Sequence, residues 1–234
     1  MDLGQARTEL ARLIACERFS TVFQPIVRVD DHGIEGFEAL TRFDDGRSPD
    51  RVFAWASRCG LSDRLETATL ERALAAAKSL PPDTWLSVNM SAEVLQRRGR
   101  ACQSLAAATR PVVLELTEHE PIDDYRAVRR AARELPGVRL AVDDTGSGFA
   151  SLRHVIELRP SFIKTDRLWV HGLAQDPCRQ AILRGLRTLA ESTGARVVTE
   201  GVERRCDLAA LSALGVPLAQ GFLLGEPARA SNWS

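Results

Sequence analysis

Short apolar strands alternate with amphipathic helices over most of this sequence. Strands are predicted at 84–90, 111–117, 138–142, 161–165, 195–199 and 216–222, with helical patterns between them. Such alternation favours right-handed βαβ crossovers and therefore a parallel sheet. Two earlier strands, at 21–29 and 34–43, flank a D-D-H-G turn and form a predicted hairpin, which makes the first strand antiparallel to the others. With about eight strands in all, the pattern favours an α/β (β/α)8 TIM-like barrel with an antiparallel first strand over an open doubly wound sheet.

The helices are predicted from apolar residues spaced three or four positions apart. The first two are expected at 5–17 and near 62–78, and a later one is expected to end at Gly215. Asp123 and Asp176 are the predicted N-caps of two further helices, and Pro177 occupies the first position of the second. A short helix between these two is expected to carry Leu152, Val155 and Ile156. The predicted buried residues are Val128, Ala131, Ala132 and Leu135 after Asp123, and Ile182, Leu186, Leu189 and Ala190 after Asp176.

Composition and charge exclude several classes of protein. The 234 residues suit one barrel, and residues 1–234 are predicted to form a single domain. Lys plus Arg and Asp plus Glu both number 31, which leaves no basic excess for duplex nucleic acid or an anionic membrane. Five cysteines without a C-x-x-C spacing argue against a disulfide framework or a zinc site. Without a long apolar run or a signal-peptide pattern, we expect a cytoplasmic location.

The segment A-V-D-D-T-G-S-G-F-A-S-L, residues 141–152, places two adjacent carboxylates at the end of a predicted strand. Neighbouring side chains on a strand point to opposite faces, so Asp143 and Asp144 converge only if the chain leaves strand geometry there. Taken alone, the segment equally fits a polar βα loop with an Asp helix cap. The polar residues at the ends of the other predicted strands favour a functional site here.

Polar residues stand at or near the ends of seven predicted strands. In α/β barrels the C-terminal ends of the strands carry the active site, so we expect these side chains to converge. One polar residue at a strand end is more often a loop or cap residue, but seven coinciding ends are poorly explained by chance. The residues are Glu38, Asn89, Glu115, Asp143 with Asp144, Lys164, Glu200 and Gln220.

The donor atoms of this set predict a hard metal ion. Carboxylate and amide oxygens favour Mg²⁺ or Mn²⁺, and crowded carboxylates need a cation to offset their repulsion. Zinc is disfavoured, because His32, His119, His154 and His171 fall in turns, loops or a helix and are predicted to be structural or solvated. So many carboxylates exceed one site and predict two ions bridged by Asp143, an arrangement that catalyses in-line phosphoryl chemistry.

Eight segments occur in the order typical of one protein family: F-Q-P-I-V, E-A-L-T-R-F, L-S-V-N-M-S, L-E-L-T-E, D-D-T-G-S-G-F-A-S-L, I-K-T-D, T-E-G-V-E and Q-G-F. Over roughly residues 5 to 228, the sequence thereby resembles the EAL domain family. The resemblance implies a metal-dependent phosphodiesterase that opens cyclic di-GMP to linear pGpG by two-metal in-line attack of water. It also implies a (β/α)8-type barrel and a homodimer, for which Phe149, Leu152 and Val155 would supply an apolar patch.

The resemblance also implies residue roles. Glu38, Asn89, Glu115 and Asp143 match ligands of the first metal, and Asp143, Asp144 and Glu200 match the side of the second. Lys164 matches the lysine that holds the attacking water, Glu200 matches a candidate general base, and Gln220 closes that end of the site. Glu118 matches a residue that anchors the loop after Asp144. The candidate nucleotide contacts are Gln24, Leu40 and Arg42.

Three positions depart from the family pattern. Thr145 stands where phenylalanine is usual, Phe222 where tyrosine is common, and Ser57 where glutamate is usual. None removes a predicted metal ligand, although Ser57 bears on nucleotide affinity. Three alternatives remain open: a cyclic di-GMP receptor that does not cleave, another barrel phosphodiesterase such as a glycerophosphodiester hydrolase, and an inert barrel with an acidic rim.

Overall fold

Eight strands close into a barrel in the computed structural model, which describes residues 3–116, 122–145 and 149–233. Each strand is hydrogen-bonded to the next in chain order, and the eighth is bonded to the first. The first strand is antiparallel to both of its neighbours, and all other pairs are parallel. The predicted barrel with an antiparallel first strand is therefore confirmed.

Helices separate the strands from β2 onward, in agreement with the predicted alternation. The strands are β1 Phe19–Arg28, β2 Ile34–Phe43, β3 Trp85–Asn89, β4 Val112–Leu116, β5 Val138–Thr145, β6 Phe162–Thr165, β7 Arg196–Thr199 and β8 Leu218–Ala219. The helices are α1 Leu3–Ala15, α2 Pro49–Arg58, α3 Ser62–Ala76, α4 Ala92–Arg97, α5 Arg100–Ala106, α6 Tyr125–Arg133, α7 Phe149–Leu158, α8 Pro177–Thr193 and α9 Arg205–Ala213. Within the described ranges, none of the helices is long and apolar enough to cross a membrane.

An apolar layer fills the barrel beneath its C-terminal mouth. Side chains alternate along a strand, so residues two positions apart point the same way and form stacked layers inside a barrel. Trp85 and Phe162 meet here with ring centroids 5.0 Å apart. The Trp85 indole fills the space beside Gly36, where a Cβ would lie 2.3 Å from the ring. The layer consists of Ile26, Trp85, Val113, Ala141, Phe162, Val198 and Leu218.

Each of these strands places a polar residue one step above the apolar layer. Ser87, Glu115, Asp143, Lys164, Glu200 and Gln220 each follow a layer residue by two positions, Glu38 follows Gly36, and Gln24 precedes Ile26 on the antiparallel β1. The alternation therefore builds an apolar floor and a polar mouth from the same strands.

The β1–β2 hairpin extends beyond the barrel. β1 pairs with β2 from Phe19–Phe43 to Val27–Ile34, whereas β2 pairs with β3 only across 36–38. Residues 39–43 consequently pair with β1 alone and rise above the mouth. A second core, formed where α1, α2 and α3 pack on Phe19 and Phe43, supports this ribbon.

Several local predictions were wrong. The N-cap of α6 is Asp124, which accepts a hydrogen bond from the Ala127 amide at 2.9 Å, because the helix begins one residue later than predicted. In α8, Ile182 is 37% exposed and Leu183 is buried instead, since both positions fit a three-or-four-residue spacing with Leu186. The short helices α2, α4 and α5 were not predicted, and β8 covers only two residues of the predicted 216–222.

Candidate active site

A buried lysine lies at the centre of the barrel mouth, surrounded by carboxylates from four strands or strand ends. The Lys164 side chain is only 2% exposed. Its Nζ lies 2.7 Å from Glu200 Oε1, 2.8 Å from Glu115 Oε2, 3.3 Å from Glu38 Oε2 and 3.7 Å from Asp143 Oδ1. A buried ammonium is costly unless it is compensated, and here four acids compensate it. The structure thus brings together five of the residues selected from the sequence.

Burial and mutual charge shift the pKa values of these groups. Burial alone lowers the pKa of Lys164, but the carboxylates of Asp143, Glu115, Glu200 and Glu38 outweigh it and raise that pKa well above its usual value. Burial, reinforced by the other acids and opposed by Lys164, raises the pKa of Glu115 well above normal. Burial, with Asp143 and Glu38, also raises the pKa of Glu200 to about 8, although Lys164 opposes the shift. The Lys164 ammonium therefore stays charged, while the raised pKa values of Glu115 and Glu200 favour their protonated forms.

A chain of amides fixes the orientation of Gln220. Gln24 Nε2 donates to the Gly225 carbonyl at 3.0 Å, which turns Gln24 Oε1 toward Gln220. Gln220 Nε2 then donates to Gln24 Oε1 at 2.9 Å and to Glu38 Oε2 at 2.7 Å. Because both partners are acceptors, the amide group of Gln220 cannot be reversed. Its buried Oε1 is left without a donor among the described residues and is available to a ligand or to water.

One extra residue in β5 sits where the paired acids occur. Val142 pairs with Ile163 and Thr145 pairs with Thr165, so β5 advances three residues while β6 advances two. Such a bulge changes the direction of side chains along a strand. The departure from strand geometry expected at Asp143 is therefore present, and the Asp143 side chain faces Lys164.

Comparison with known proteins identifies the family. The family profile described as "EAL domain" matches residues 7–227. This chain belongs to the EAL domain family. Cyclic di-GMP phosphodiesterase RocR of Pseudomonas aeruginosa is 29% identical over 226 residues, which cover 89% of this chain and 57% of that protein. Probable cyclic di-GMP phosphodiesterase PdeA of Escherichia coli is 28% identical over 216 residues, which cover 87% of this chain and 30% of that protein. This EAL domain thus spans only part of the length of such relatives.

Solved structures share the fold. The PaMucR phosphodiesterase, solved as a c-di-GMP complex, superposes with a TM-score of 0.83 at 27% identity and covers 98% of this chain and 100% of that one. BlrP1 of Klebsiella pneumoniae, solved as a calcium/cy-diGMP complex, superposes with a TM-score of 0.80 at 32% identity. The superposition covers 91% of this chain and 56% of the BlrP1 chain. A manganese/cy-diGMP complex of BlrP1 superposes equally well, with a TM-score of 0.80.

The donor set of this EAL domain fits a hard divalent cation. Glu38, Glu115, Asp143 and Glu200 bring four carboxylates against the single charge of Lys164, and the excess negative charge favours a cation. In the described part of the chain, no three His, Cys, Asp or Glu groups are already set in ligand geometry. Asn89 turns its Nδ2 toward Glu38 Oε1 at 3.4 Å, so it would present an oxygen to a cation only after its amide had turned.

The remaining predicted residues lie at the rim or outside the described residues. Leu40 and Arg42 follow Glu38 at alternate positions on the β1–β2 ribbon. Leu40 is half-buried, and the exposed Arg42 donates a hydrogen bond to the Thr41 carbonyl. Phe222 is 60% exposed and lines a cleft of about 290 Å³ beside Glu200 and Gln220. Glu118 and the side chains of Asp144 and Phe149 fall outside the described residues.

Of the other positions singled out from the sequence, Thr145 pairs with Thr165, the residue that follows Lys164 on β6. Thr145 is fully buried, whereas Ser57 is exposed on α2. His32 lies in the β1–β2 turn, His154 is buried against Tyr125, and His171 is exposed; His119 is outside the described residues.

One residue of the site, Ser87, was missed from the sequence. Ser87 donates a hydrogen bond to Glu115, and a signal for it was present, because it lies between Trp85 and Asn89 in the inward-facing alternation of β3. Gln24, predicted as a nucleotide contact, accepts a hydrogen bond from Gln220 and lines the cleft beside Glu200. Because β1 runs opposite to the other strands, its residues at the barrel mouth are not at its C-terminal end. The search for polar residues at strand ends therefore does not identify them.

Proposed function

We propose that this EAL domain hydrolyses cyclic di-GMP to linear pGpG. The observation that carries the proposal is the buried Lys164 among four carboxylates at the mouth of an EAL barrel. The names of relatives that are cyclic di-GMP phosphodiesterases support the choice of substrate.

The proposed metal ligands are Glu38, Asn89, Glu115 and Asp143 for one ion, and Asp143, Asp144 and Glu200 for a second, with Mg²⁺ or Mn²⁺ as the metals. Two bound cations would neutralise the phosphate oxygens and acidify the attacking water. The complexes of BlrP1 with cy-diGMP and calcium or manganese support dependence on a divalent cation.

The chain's own residues account for the positioning of water. Lys164 Nζ donates toward the centre of the site while Glu200, 2.7 Å away, offers an acceptor on the same side. Glu200 would serve as the general base that accepts a proton from this water. Gln220 Oε1 supplies a second acceptor, and Arg42 supplies positive charge for a phosphate at the rim. Attack of water on phosphorus then breaks the bond to the 3′ oxygen, and the 5′ end keeps the phosphate.

A product assay tests the proposal. The protein is incubated with cyclic di-GMP, with and without Mg²⁺ or Mn²⁺, and pGpG is separated by chromatography. We expect pGpG only with metal, and we expect Ca²⁺ to support nucleotide binding without turnover because its coordination is longer and looser. Nucleotide binding without pGpG in the presence of Mn²⁺ would instead establish a receptor.

We propose that Glu118 anchors the loop after Asp144. The Glu118→Ala variant is then expected to keep its melting midpoint and lose at least about tenfold in turnover at limiting metal. If the variant had the turnover of the parent at limiting metal, Glu118 would have no role in the site.

We also propose that residues 1–234 act as one domain, in the cytoplasm and as a homodimer. Five unpaired cysteines support a reducing compartment. The expected apolar patch needs one correction: Val155 is fully buried in α7, while Leu152 and Ile156 are 38% and 60% exposed. Light scattering of the parent and of the Ile156→Glu variant tests the dimer, and a parent that is monomeric at tens of micromolar, roughly, contradicts it.

A further inference from the structure

Ser87 lies directly beneath the carboxylate of Glu115. It occupies the inward-facing position of β3 between Trp85 and Asn89, and it is 1% exposed. Its Oγ is 2.5 Å from Glu115 Oε1, a distance typical of a hydroxyl that donates to a carboxylate, about 2.5–2.7 Å. The alternative acceptor, the Val113 carbonyl, lies at 3.4 Å. Ser87 therefore donates its single hydroxyl proton in a hydrogen bond to Glu115 rather than to Val113.

This bond divides the two oxygens of Glu115 between different partners. Oε1 faces Ser87 on the floor side, and Oε2 faces Lys164 at 2.8 Å on the mouth side. Glu115 is itself 1% exposed, so its carboxylate depends on these two protein partners. A donor on each side fixes the plane of the carboxylate more firmly than one contact would.

We propose that Ser87 is a positioning residue of the metal centre, which holds Glu115 Oε1 and so fixes the carboxylate that would bind a divalent cation. The inference rests on the proposed function, because it assigns Glu115 as a metal ligand. Ser87 acts only through Glu115.

Loss of the Ser87 hydroxyl leaves a buried carboxylate oxygen without its donor. Glu115 is then free to rotate about its terminal bond and no longer presents one oxygen in a fixed direction. Removing a partner that orients a metal ligand typically costs about 10–100-fold in metal affinity. Alanine fits the space of serine, so the fold is retained.

The chain offers a matched control on its outer surface. Ser104 on α5 donates to Glu71 Oε1 at 2.9 Å, a serine–glutamate bond of the same kind outside the barrel mouth. The Ser104→Ala variant therefore removes an equivalent hydrogen bond and leaves the metal ligands untouched. The Ser87→Thr variant retains a hydroxyl at the position under test.

The experiment measures binding of Mn²⁺ alone to the full chain by isothermal titration calorimetry. We expect the Kd for Mn²⁺ to rise about 10–100-fold in Ser87→Ala, to return to within about threefold of the parent in Ser87→Thr, and to be unchanged in Ser104→Ala. At saturating Mn²⁺, the KM for cyclic di-GMP should match that of the parent.

Three results would overturn the proposal. One is a parental Kd in Ser87→Ala, another is an equal loss in Ser104→Ala, and the third is a threonine variant that binds no better than alanine. If the parent itself binds no Mn²⁺, the proposed function fails together with this inference, whereas a parent that binds normally confines the failure to Ser87.

Discussion

Replacement of Lys164 by methionine tests whether this ammonium holds the barrel mouth together. Methionine keeps a long unbranched side chain and removes the charge. Four carboxylate oxygens lie within 3.7 Å of the ammonium, so the change leaves buried acids without their protein counter-ion. Removing one partner of a buried ion pair costs about 3–5 kcal/mol. For a domain of this size, about 1 kcal/mol moves the melting midpoint by about 2–4 °C, so we expect a fall of about 6–20 °C.

The assay is thermal unfolding followed by calorimetry, first with EDTA and then with Mn²⁺. Lys78 and Lys164 are the two lysines of the sequence, and Lys78 is exposed, so Lys78→Met is a matched control that should melt with the parent. Mn²⁺ should recover much of the loss in Lys164→Met, because binding at about 100 times Kd adds about 2.7 kcal/mol. Turnover should not return. A Lys164→Met protein that melts with the parent in EDTA would refute the reasoning.

Three further variants probe the floor, the rim and the outer loops. Phe162→Ala should lower the free energy of unfolding by about 3–5 kcal/mol in urea titrations, because the ring fills the apolar layer; a change below about 1 kcal/mol would show that the layer collapses around the gap. Gly201→Ala should cut turnover, since φ is +69° there and a Cβ would lie 2.3 Å from Arg167 Cβ beside Glu200; parental kinetics would contradict this close approach. Asp207→Asn should destabilise the protein at pH 7, because burial raises the pKa of Asp207 but the bonds from Arg204 and a backbone amide outweigh it and lower that pKa. The ionised Asp207 stabilises the fold fully above its unfolded pKa of about 3.9, and this stabilisation is lost as pH falls through the lower folded pKa. The difference in stability between the parent and Asp207→Asn should therefore begin to shrink below about pH 4. A difference that stays constant down to about pH 2 would contradict this explanation.

The sequence by itself determined the barrel and most of its mouth. The polar residues at the strand ends were expected to converge, and the structure brings Glu38, Glu115 and Glu200 around Lys164. Glu38, Glu115 and Glu200 were selected because they stand at or near the ends of predicted strands. The antiparallel first strand followed from its turn with the second.

Tertiary structure decided what those residues touch. No local pattern specifies that Ser87 bonds Glu115, because the register between β3 and β4 is set by packing along both strands. The amide chain from Gln24 to Gln220 joins residues 196 positions apart, and only barrel closure brings them together.

The same limit explains the errors in the helices. Ile182 and Leu183 fit the apolar spacing of α8 equally well. Leu183 is the one that is buried, because the helix packs on the barrel with that side. Val155 likewise faces inward because α7 packs on β5, while Leu152 and Ile156 remain exposed. Periodicity fixes which residues share a face, but the rotation of that face depends on neighbours distant in the chain, whose packing energy exceeds the differences in local preference.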